Sequence, residues 1–314
     1  MFVCDLKYVF VACCSILAAV AFGQSPGIEW QKTYGGNTSD YVFKTILTSD
    51  NHFVIAGGSN RTGTGTDIRV SKLTREGNVI WTKYLGGSAR ESIFDFVSTP
   101  DGGFMIAGTT LSSDGDVIGF HGTSNGSNDD VWIVKLSASG AIQWQKCIGS
   151  TSGDQIRQLI VQPDGSSLIL GVTNGIGDFP GEGPFLMKLS STGAVVSAQT
   201  LGSNRVAYKK MIVKPNGRIA AVGQNVILGN LGSIDISISD NITQDGSWPT
   251  GVCAKGVTLG GTADDIGLDI VQTGADQFTV LATSASSAVP GAHGGVDIWL
   301  ITFNSCGTVL WQKA

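Results

Sequence analysis

Short runs of hydrophobic residues alternate with glycine-rich and polar segments along most of this chain. Each run has about four to eight residues, is rich in Val, Ile, Phe and Trp, and ends at Gly, Asp, Asn or Ser, as in "FMIAGTT" (104–110). Runs of this kind are typical of β-strands. Helical periodicity is absent after the first 23 residues, so the pattern predicts an all-β protein.

Two kinds of glycine turn separate the predicted strands. The first kind follows a proline, in "PDGG" (100–103), "PDGS" (163–166) and "PNGR" (215–218). The second kind comes later in each repeat, in "REG" (75–77), "ASG" (138–140), "STG" (191–193) and "SCG" (305–307). Both kinds predict antiparallel hairpins, because glycine accepts the positive φ that tight turns need.

One phrase recurs about every 50–60 residues along the chain. It reads "IEWQKTYGG" (28–36), "VIWTKYLGG" (79–87) and "IQWQKCIGS" (142–150), then more weakly "VVSAQTLGS" (195–203) and "VLWQKA" (309–314). Four short antiparallel strands per repeat predict a β-propeller of about five blades, with a ring that could be incomplete. The predicted repeat units lie near 28–78, 79–141, 142–194, 195–250 and 251–307, with a partial unit at 308–314.

The conserved parts of the repeat predict how blades meet. We expect the Trp ring to pack between neighbouring sheets and the Gly-Gly to carry the chain to the next blade. Acids recur at two strand starts, and we interpret them as structural acceptors of backbone N–H groups rather than as catalytic groups. The first set is Asp40, Glu91, Asp154 and Asp265, and the second is Asp67, Asp130, Asp235 and Asp297.

The strand count leaves the closure of the ring open. There are five sets of three strands but six Trp-type strands, because the phrase stands at both ends of the repeat region. Strand 28–34 could pair with the last blade as a clasp, but "VLWQKA" would compete for the same place. A fragment of a longer repeat protein and a five-bladed ring with one extra strand are both compatible with this count.

Composition and the first residues predict an exported protein. Residues 1–23 combine Lys7, the apolar run 8–22 and small residues before Gln24, which is the pattern of a cleaved signal peptide. We expect 24–314 to form one propeller domain that does not insert into a membrane and is a monomer. The net charge is −5 without a basic cluster, which argues against a nucleic-acid partner.

Three cysteines remain after the predicted signal peptide: Cys147, Cys253 and Cys306. An odd number of cysteines in an exported chain cannot all pair within that chain. The sequence allows a Cys253–Cys306 disulfide as well as free thiols. No C-x-x-C spacing occurs, which argues against a zinc site.

The loop 112–130 is the most polar stretch of the chain. Its acids Asp114, Asp116, Asp129 and Asp130 could bind calcium, although the loop lacks the ligand order of an EF-hand. An ordinary solvated hairpin loop is the alternative. We therefore expect no obligatory cofactor, with calcium as the candidate metal.

Three further residues are candidates for ligand binding. His121 in "GFHG" and His293 in "GAHG" occupy corresponding loop positions of two repeats, and Trp248 lies outside the periodic pattern. An exposed tryptophan can stack on a sugar ring or on a proline. No Ser/His/Asp order and no G-x-S-x-G motif marks a nucleophile, so we assign no catalytic residue.

Unit 81–146 resembles a known repeat over its whole length. Its "W-x-K-x-x-G-G", "D-G-G-F-M-I-A-G-T-T" and "D-V-W-I-V-K-L" motifs are similar to those of secreted Bacteroidetes proteins that use type IX secretion. The resemblance implies a propeller, a secreted or cell-surface location and, for most such proteins, no assigned activity. Those proteins usually carry a C-terminal sorting domain. None occurs in these 314 residues, which favours a fragment and argues against surface attachment.

These observations favour a non-enzymatic module that binds an extracellular glycan or protein, or serves as a scaffold. Loop lengths differ between repeats while the framework is repeated, as in binding propellers. A hydrolase or lyase acting on polysaccharide, with carboxylates at the channel mouth, is the enzymatic alternative. A structural spacer in a larger surface protein is the third hypothesis.

Overall fold

The computed structural model describes residues 27–314 except 62, 64, 123–127, 203–204, 227–233, 248–256 and 305. The predicted signal peptide therefore lies outside the described residues. The chain divides into two units, Met1–Thr33 and Tyr34–Ala314. The described part of the first unit, 27–33, is exposed and contains no strand. The described residues contain no helix with the length and hydropathy needed to cross a bilayer.

The second unit consists of five antiparallel sheets, each built from four consecutive strands. The first two sheets contain β1 (Asp40–Leu47), β2 (Phe53–Arg61), β3 (Gly65–Leu73), β4 (Val79–Leu85), β5 (Glu91–Ser98), β6 (Phe104–Thr110), β7 (Asp130–Leu136) and β8 (Ile142–Ile148). The other three contain β9 (Asp154–Val161), β10 (Ser167–Thr173), β11 (Gly183–Leu189), β12 (Val195–Thr200), β13 (Val206–Val213), β14 (Ile219–Val226), β15 (Ile234–Ile242), β16 (Val257–Leu259), β17 (Asp265–Gly274), β18 (Gln277–Ser284), β19 (Asp297–Asn304) and β20 (Val309–Lys313).

Each sheet packs face to face on the next one along the chain. Four hydrophobic clusters form the core, and each of them combines residues of two consecutive sheets. Among the described strands, no comparably extensive contact joins the first sheet to the fifth. Sequential four-stranded antiparallel blades packed in this way define a β-propeller fold, and the fold class expected from the sequence is confirmed.

The blades begin one strand later than the predicted repeat units. The Trp phrase is the fourth strand of each blade, as β4 and β8 show, and the glycines after it lead into the next blade. The expected strand at 28–34 is wrong, because residues 27–36 carry no strand. β20 pairs with β19 instead and completes the last blade, so the described part of the chain contains five strands of the Trp type rather than six.

Both kinds of predicted turn are confirmed. In the first kind the amide of Gly102 donates to the carbonyl of Thr99 over 2.9 Å, and in the second the amide of Gly140 donates to Ser137 over 3.0 Å. Both glycines have positive φ, 79° and 81°. These hairpins set the register of the neighbouring strands.

The predicted packing of Trp between sheets is also confirmed. The Trp81 ring lies edge-on to Phe104 of the next blade, with ring centroids 6.4 Å apart. Its atoms come within 3.0 Å of the position that a Cβ would take at Gly140, the turn glycine of that blade. Trp144 packs in the same way on Gly193 and donates from Nε1 to the Ser191 carbonyl over 3.1 Å.

A β-bulge occurs at the same place in the first strand of every blade. The extra residues are Phe43, Phe94, Arg157, Lys209 and Leu268. In four blades a glycine of the second strand lies opposite the bulge, where the first strand comes very close. A Cβ at Gly108 would lie 2.2 Å from the Ser92 carbonyl oxygen. This contact explains why glycine recurs at this position of the second strand, as Gly57, Gly108, Gly171 and Gly223.

The cysteines fall into two groups. Cys147 is free and buried, and burial raises the pKa of its thiol above the ordinary range. Cys306 is disulfide-bonded. Cys253, with which the sequence allows it to pair, lies outside the described residues.

We predict that Gly108→Ala destabilises the fold by about 3 kcal/mol, because the new methyl group would overlap the Ser92 carbonyl. Gly153→Ala is the matched control, since a Cβ there meets no atom within 4 Å. Unfolding in urea would measure both variants. An equal loss of stability in both would contradict the close approach at the bulge.

A second prediction concerns the tryptophans. Trp144→Ala should lower the free energy of unfolding by about 3 kcal/mol, because it removes an aromatic ring from a blade junction. Trp311 is the same residue of the last blade, but it is 49% exposed. Trp311→Ala should therefore cost clearly less in the same urea experiment. A larger loss of unfolding free energy for Trp311→Ala than for Trp144→Ala would contradict the stabilising role of the Trp144 ring at the blade junction.

Candidate functional site

The connections between blades carry the first set of repeated acids. Each acid lies at the start of a blade and accepts a hydrogen bond from a backbone amide four residues earlier. The amide–oxygen distances are 2.8 Å for Gly36 to Asp40, 3.2 Å for Gly87 to Glu91, 2.7 Å for Ser150 to Asp154 and 2.8 Å for Gly261 to Asp265. The predicted structural role of these acids is confirmed.

The second set of acids lies against the same connections. A Cβ at Gly86 would be 2.2 Å from Glu91 Oε2 and 3.1 Å from Asp67 Oδ1, so one carboxylate of each set approaches this glycine. Gly260 stands in the same way between Asp235 Oδ1, at 2.2 Å, and Asp265 Oδ2, at 2.6 Å. Asp154 also interacts with Asp130 across the second junction, so the two sets form pairs across three of the four blade junctions.

Burial of these pairs changes their acid strength. Burial raises the pKa of Glu91, and the nearby charge of Asp67 raises it further. Hydrogen bonds from Ser112, Thr110 and Gly87 act in the opposite direction but do not cancel the rise. Burial likewise raises the pKa of Asp130 and of Asp235, and in each case the partner carboxylate adds to the rise. Glu91, Asp130 and Asp235 therefore retain protons more strongly than exposed acids do.

A cleft of about 280 Å³ opens at the first blade junction. Arg61 reaches across it, with Nη1 3.0 Å from Asp67 Oδ2 and the guanidinium carbon 4.7 Å from the centroid of the Tyr84 ring. The lining residues are Arg61, Asp67, Tyr84, Gly86, Gly87, Ser88, Asp114, Gly115 and Asp116. The cleft thus combines a forked donor, an aromatic ring and several carboxylates.

Asp114 and Asp116 are held in this cleft by backbone amides. The Ser88 amide donates to Asp114 Oδ1 over 2.7 Å, and the Gly86 amide donates to Asp116 Oδ2 over 3.3 Å. The bond from Ser88 is the main cause of the lowered pKa of Asp114. Both oxygens are therefore positioned by amides of the blade connection.

His121 lies at the second junction between two carboxylates. Its Nδ1 is 2.8 Å from Asp130 Oδ2, and its Nε2 is 3.7 Å from Asp178 Oδ2. The Gly149 amide donates to Asp178 over 3.2 Å, as Gly86 does to Asp116 at the first junction. Within the part of the chain that the structure describes, the ring's polar contacts are with carboxylates, and no nucleophile is among them.

The four acids predicted to bind calcium are not brought together. Asp114 and Asp116 line the first cleft, Asp130 contacts His121, and Asp129 contacts Arg90 over 3.4 Å and Thr109 over 3.2 Å. Each has separate partners because the loop spans two junctions. Among the described residues, no three His, Cys, Asp or Glu side chains are placed to hold one metal ion.

The three predicted ligand-binding residues also do not form one site. His293 corresponds to His121, since the amides of His121 and His293 donate to the acids at the starts of β7 and β19 over 2.7 and 2.8 Å. The two histidines nevertheless belong to different blades. Trp248 lies outside the described residues.

Sequence reasoning missed Arg61 and Tyr84. Arg61 ends β2 beside a glycine-rich loop, and Tyr84 precedes the Leu-Gly-Gly of its phrase at a position that varies between repeats. The variation at the Tyr84 position is a sequence signal for a functional residue, because a side chain that differs between repeats is not needed for the common scaffold.

Comparisons with known proteins add little beyond the fold. No protein-family model matches the chain, and no curated protein matches its sequence. The Neurospora crassa Pan2 WD40 domain is similar in structure, with TM-score 0.48 and 13% identity over 87% of this chain and 65% of that one. The propeller domain of the Pyrococcus furiosus Trilobed protease has TM-score 0.44 and 12% identity over 86% and 70% of the two chains.

A Synechocystis apocarotenoid oxygenase mutant is a third similar structure, with TM-score 0.45 and 10% identity over 83% of this chain. This chain spans 57% of the oxygenase and 65% of the Pan2 domain. The fold assignment therefore rests on the strand topology and the packing between blades described above.

The raised pKa values predict a pH-dependent stability in the presence of a chelator. The folded chain retains protons on Glu91, Asp130, Asp154 and Asp235 that the unfolded chain releases above about pH 4. Stability should therefore be highest near that pH and fall as the pH rises towards the raised pKa values. Urea unfolding at several pH values would measure the slope.

Glu91→Gln should flatten this slope between about pH 4 and 7, because the amide does not titrate. It retains an acceptor for the Gly87 amide and can donate to Thr110. Asp245→Asn is the control, since hydrogen bonds lower the pKa of Asp245 and place its contribution at lower pH. A slope unchanged by Glu91→Gln would contradict the assignment.

Proposed function

We propose that this chain is an exported, non-enzymatic propeller that binds an extracellular glycan at the cleft of the first blade junction. The cleft lined by Arg61, Tyr84, Asp114 and Asp116 is the observation that carries the proposal. Its volume of about 280 Å³ is near the lower end of the range for ligand pockets, about 300 Å³. A space of this size suits one or two sugar rings better than a folded protein.

The chemistry of the lining supports a polyhydroxylated ligand. Sugar hydroxyls donate to carboxylates and accept from a guanidinium, and both groups lie side by side in this cleft. Tyr84 is half-exposed, and its ring, on which the Arg61 guanidinium lies, adds an aromatic wall against which the ring carbons of a sugar can pack. Backbone amides already hold Asp114 and Asp116 in place, so binding would order few side chains.

Binding is favoured over hydrolysis of a polysaccharide. Glycosidases need two carboxyl groups on opposite sides of a bond, one of them able to donate a proton. Glu91 has the raised pKa of such a donor, but it is fully buried and accepts hydrogen bonds from Thr110 and Gly87. The carboxylates that line the cleft are Asp114 and Asp116, which the Ser88 and Gly86 amides hold, and Asp67, which pairs with Arg61.

The test is calorimetric titration of the exported chain with defined cello-, xylo-, chito- and galacturonan oligosaccharides. At least one should bind with saturable heat. Arg61→Gln and Asp114→Asn should each weaken that binding about tenfold, the loss expected for one or two hydrogen bonds to a charged group. The melting temperature of each variant would show that it is folded.

Lys83→Gln is the matched control. Lys83 precedes Tyr84 in β4, so its side chain points to the opposite face of the sheet. It should leave the affinity unchanged. Absence of binding to every oligosaccharide, or equal binding by the wild type and both cleft variants, would refute the proposal.

A further inference from the structure

The fifth blade has a hydrophobic face that no described blade covers. Ile270, Val280 and Ile301 belong to the core cluster shared with the fourth blade, so residues next to them in each strand point to the opposite side. Leu281 and Leu300 on that side are direct cross-strand partners, which makes the patch continuous across the sheet. This far face of the fifth blade consists of residues that are between 38% and 68% exposed: Val271, Leu281, Ile298, Leu300 and Trp311.

The corresponding face of the first blade is buried by the next blade. Ala56 and Val70 are cross-strand partners there, in the places of Leu281 and Leu300. Both lie in the cluster shared with the second blade and are at most 1% exposed. The far face of the fifth blade thus has the composition of a blade junction, and an exposed hydrophobic patch of this kind marks an interaction surface.

Asp269 on the far face indicates what kind of partner would cover it. In the second blade, Asp95 accepts the amide of Phe96 over 2.8 Å with Oδ1 and the amide of Leu159, in the third blade, over 3.0 Å with Oδ2. Asp269 has the same place after the bulge, and its Oδ1 accepts the amide of Ile270 over 2.9 Å. Within the described residues, no hydrogen bond reaches its Oδ2, where the first strand of a following blade would donate.

Trp311 indicates the same kind of partner. Trp81 and Trp144, the corresponding rings of the first two blades, pack on Gly140 and Gly193, which are turn glycines of the following blades. Trp311 is 49% exposed on the far face. A partner that completes this face therefore presents a first-strand amide and a hairpin-turn glycine, as a propeller blade does.

The first blade offers the required amide on the face that it turns away from the second blade. Ile46 packs against the second blade, so Thr45 and Leu47 point to the opposite side. Thr45 has the same position after the bulge as Leu159, whose amide donates to the preceding blade. Leu47 is 57% exposed and supplies a hydrophobic contact beside that amide.

The first blade also offers the turn glycine. Gly77 has φ of 76°, close to the 81° of both Gly140 and Gly193. The hydroxyl of Tyr34 donates to the carbonyl of Gly77 over 2.7 Å, whereas the Trp rings elsewhere lie over the Cα of their turn glycines. The Tyr34 contact and a Trp311 contact therefore use different atoms of this turn.

We infer that copies of this chain associate head to tail, with the far face of the fifth blade of one copy packed on the first blade of another. Among the described strands, no extensive contact joins the first and fifth sheets of one copy. Contacts of this type close into a ring or extend into a chain, depending on the rotation between copies. The association would replace the monomer expected from the sequence, and it does not depend on glycan binding.

Pairing of two far faces with each other is the competing arrangement. It would bury the same hydrophobic residues but would leave Asp269 and Trp311 without their partners. The Ile270 amide is already bonded within its own blade, and the turn glycine Gly307 packs on Val257 of the fourth blade. The head-to-tail arrangement supplies both partners, so the structure favours it.

Sedimentation of the exported chain over a series of concentrations tests the association. The wild type should exceed the mass of one chain. Ile298→Glu should weaken association at least about a hundredfold, because docking would bury a carboxylate without a partner. Leu47→Glu should have the same effect from the other face. A wild type that stays monomeric at every concentration would overturn the inference.

Mixing the two variants separates the head-to-tail arrangement from paired far faces. Each variant keeps one intact face, so an equimolar mixture should form a heterodimer with one copy of each that grows no further. If far faces pair with each other, Leu47→Glu will associate as the wild type does and the mixture will contain no heterodimer. That result would refute head-to-tail association.

Ile176→Glu is the matched control, since Ile176 is 75% exposed in the loop between β10 and β11 of the third blade. It should associate as the wild type does, and an equal weakening there would reveal nonspecific aggregation and overturn the inference. Melting temperatures show whether each variant is folded. If Ile298→Glu or Leu47→Glu does not fold, Val271→Glu or Thr45→Glu repeats the test on the same face, at a residue that is also exposed.

Discussion

The close approach of the first two strands at the β-bulge is the constraint on which the propeller depends. One extra residue in the first strand bends every blade at the same place and turns the following side chain towards the next blade. Asp95 and Gln158 follow bulges and accept amides of the next first strand, Leu159 over 3.0 Å and Met211 over 2.7 Å. The glycine opposite the bulge makes this bend sterically accessible.

The blade junctions combine structure and chemistry in a small space. Aromatic rings and turn glycines join the sheets on one side, while paired carboxylates fix the glycine connection on the other. The scaffold thus brings charged groups into buried positions that an isolated sheet could not provide. Differences between junctions, such as Arg61 at the first and His121 at the second, then give each one its own chemistry.

Much of the scaffold could be predicted because its physical causes are local or repeated. Turn glycines, hydrophobic runs and strand-start acids each appear several times, so one misleading occurrence does not hide the pattern. The phrase at 28–36 is misleading for the same reason, because it has the sequence of a fourth strand although residues 27–36 carry no strand. The cleft could not be predicted, because Arg61 and Tyr84 meet only after β2 and β4 assemble in one blade.

The sequence by itself determined the all-β class, the four-stranded repeat, the hairpin turns and the backbone-binding acids, because these follow from local conformational preference and periodicity. Only the tertiary structure decided which acids form pairs, that Asp114 and Asp130 belong to different junctions, and that β20 completes the last blade. The physical reason is that such contacts depend on how one blade is placed on the next. A packing geometry between distant segments leaves no trace in the spacing of residues along the chain.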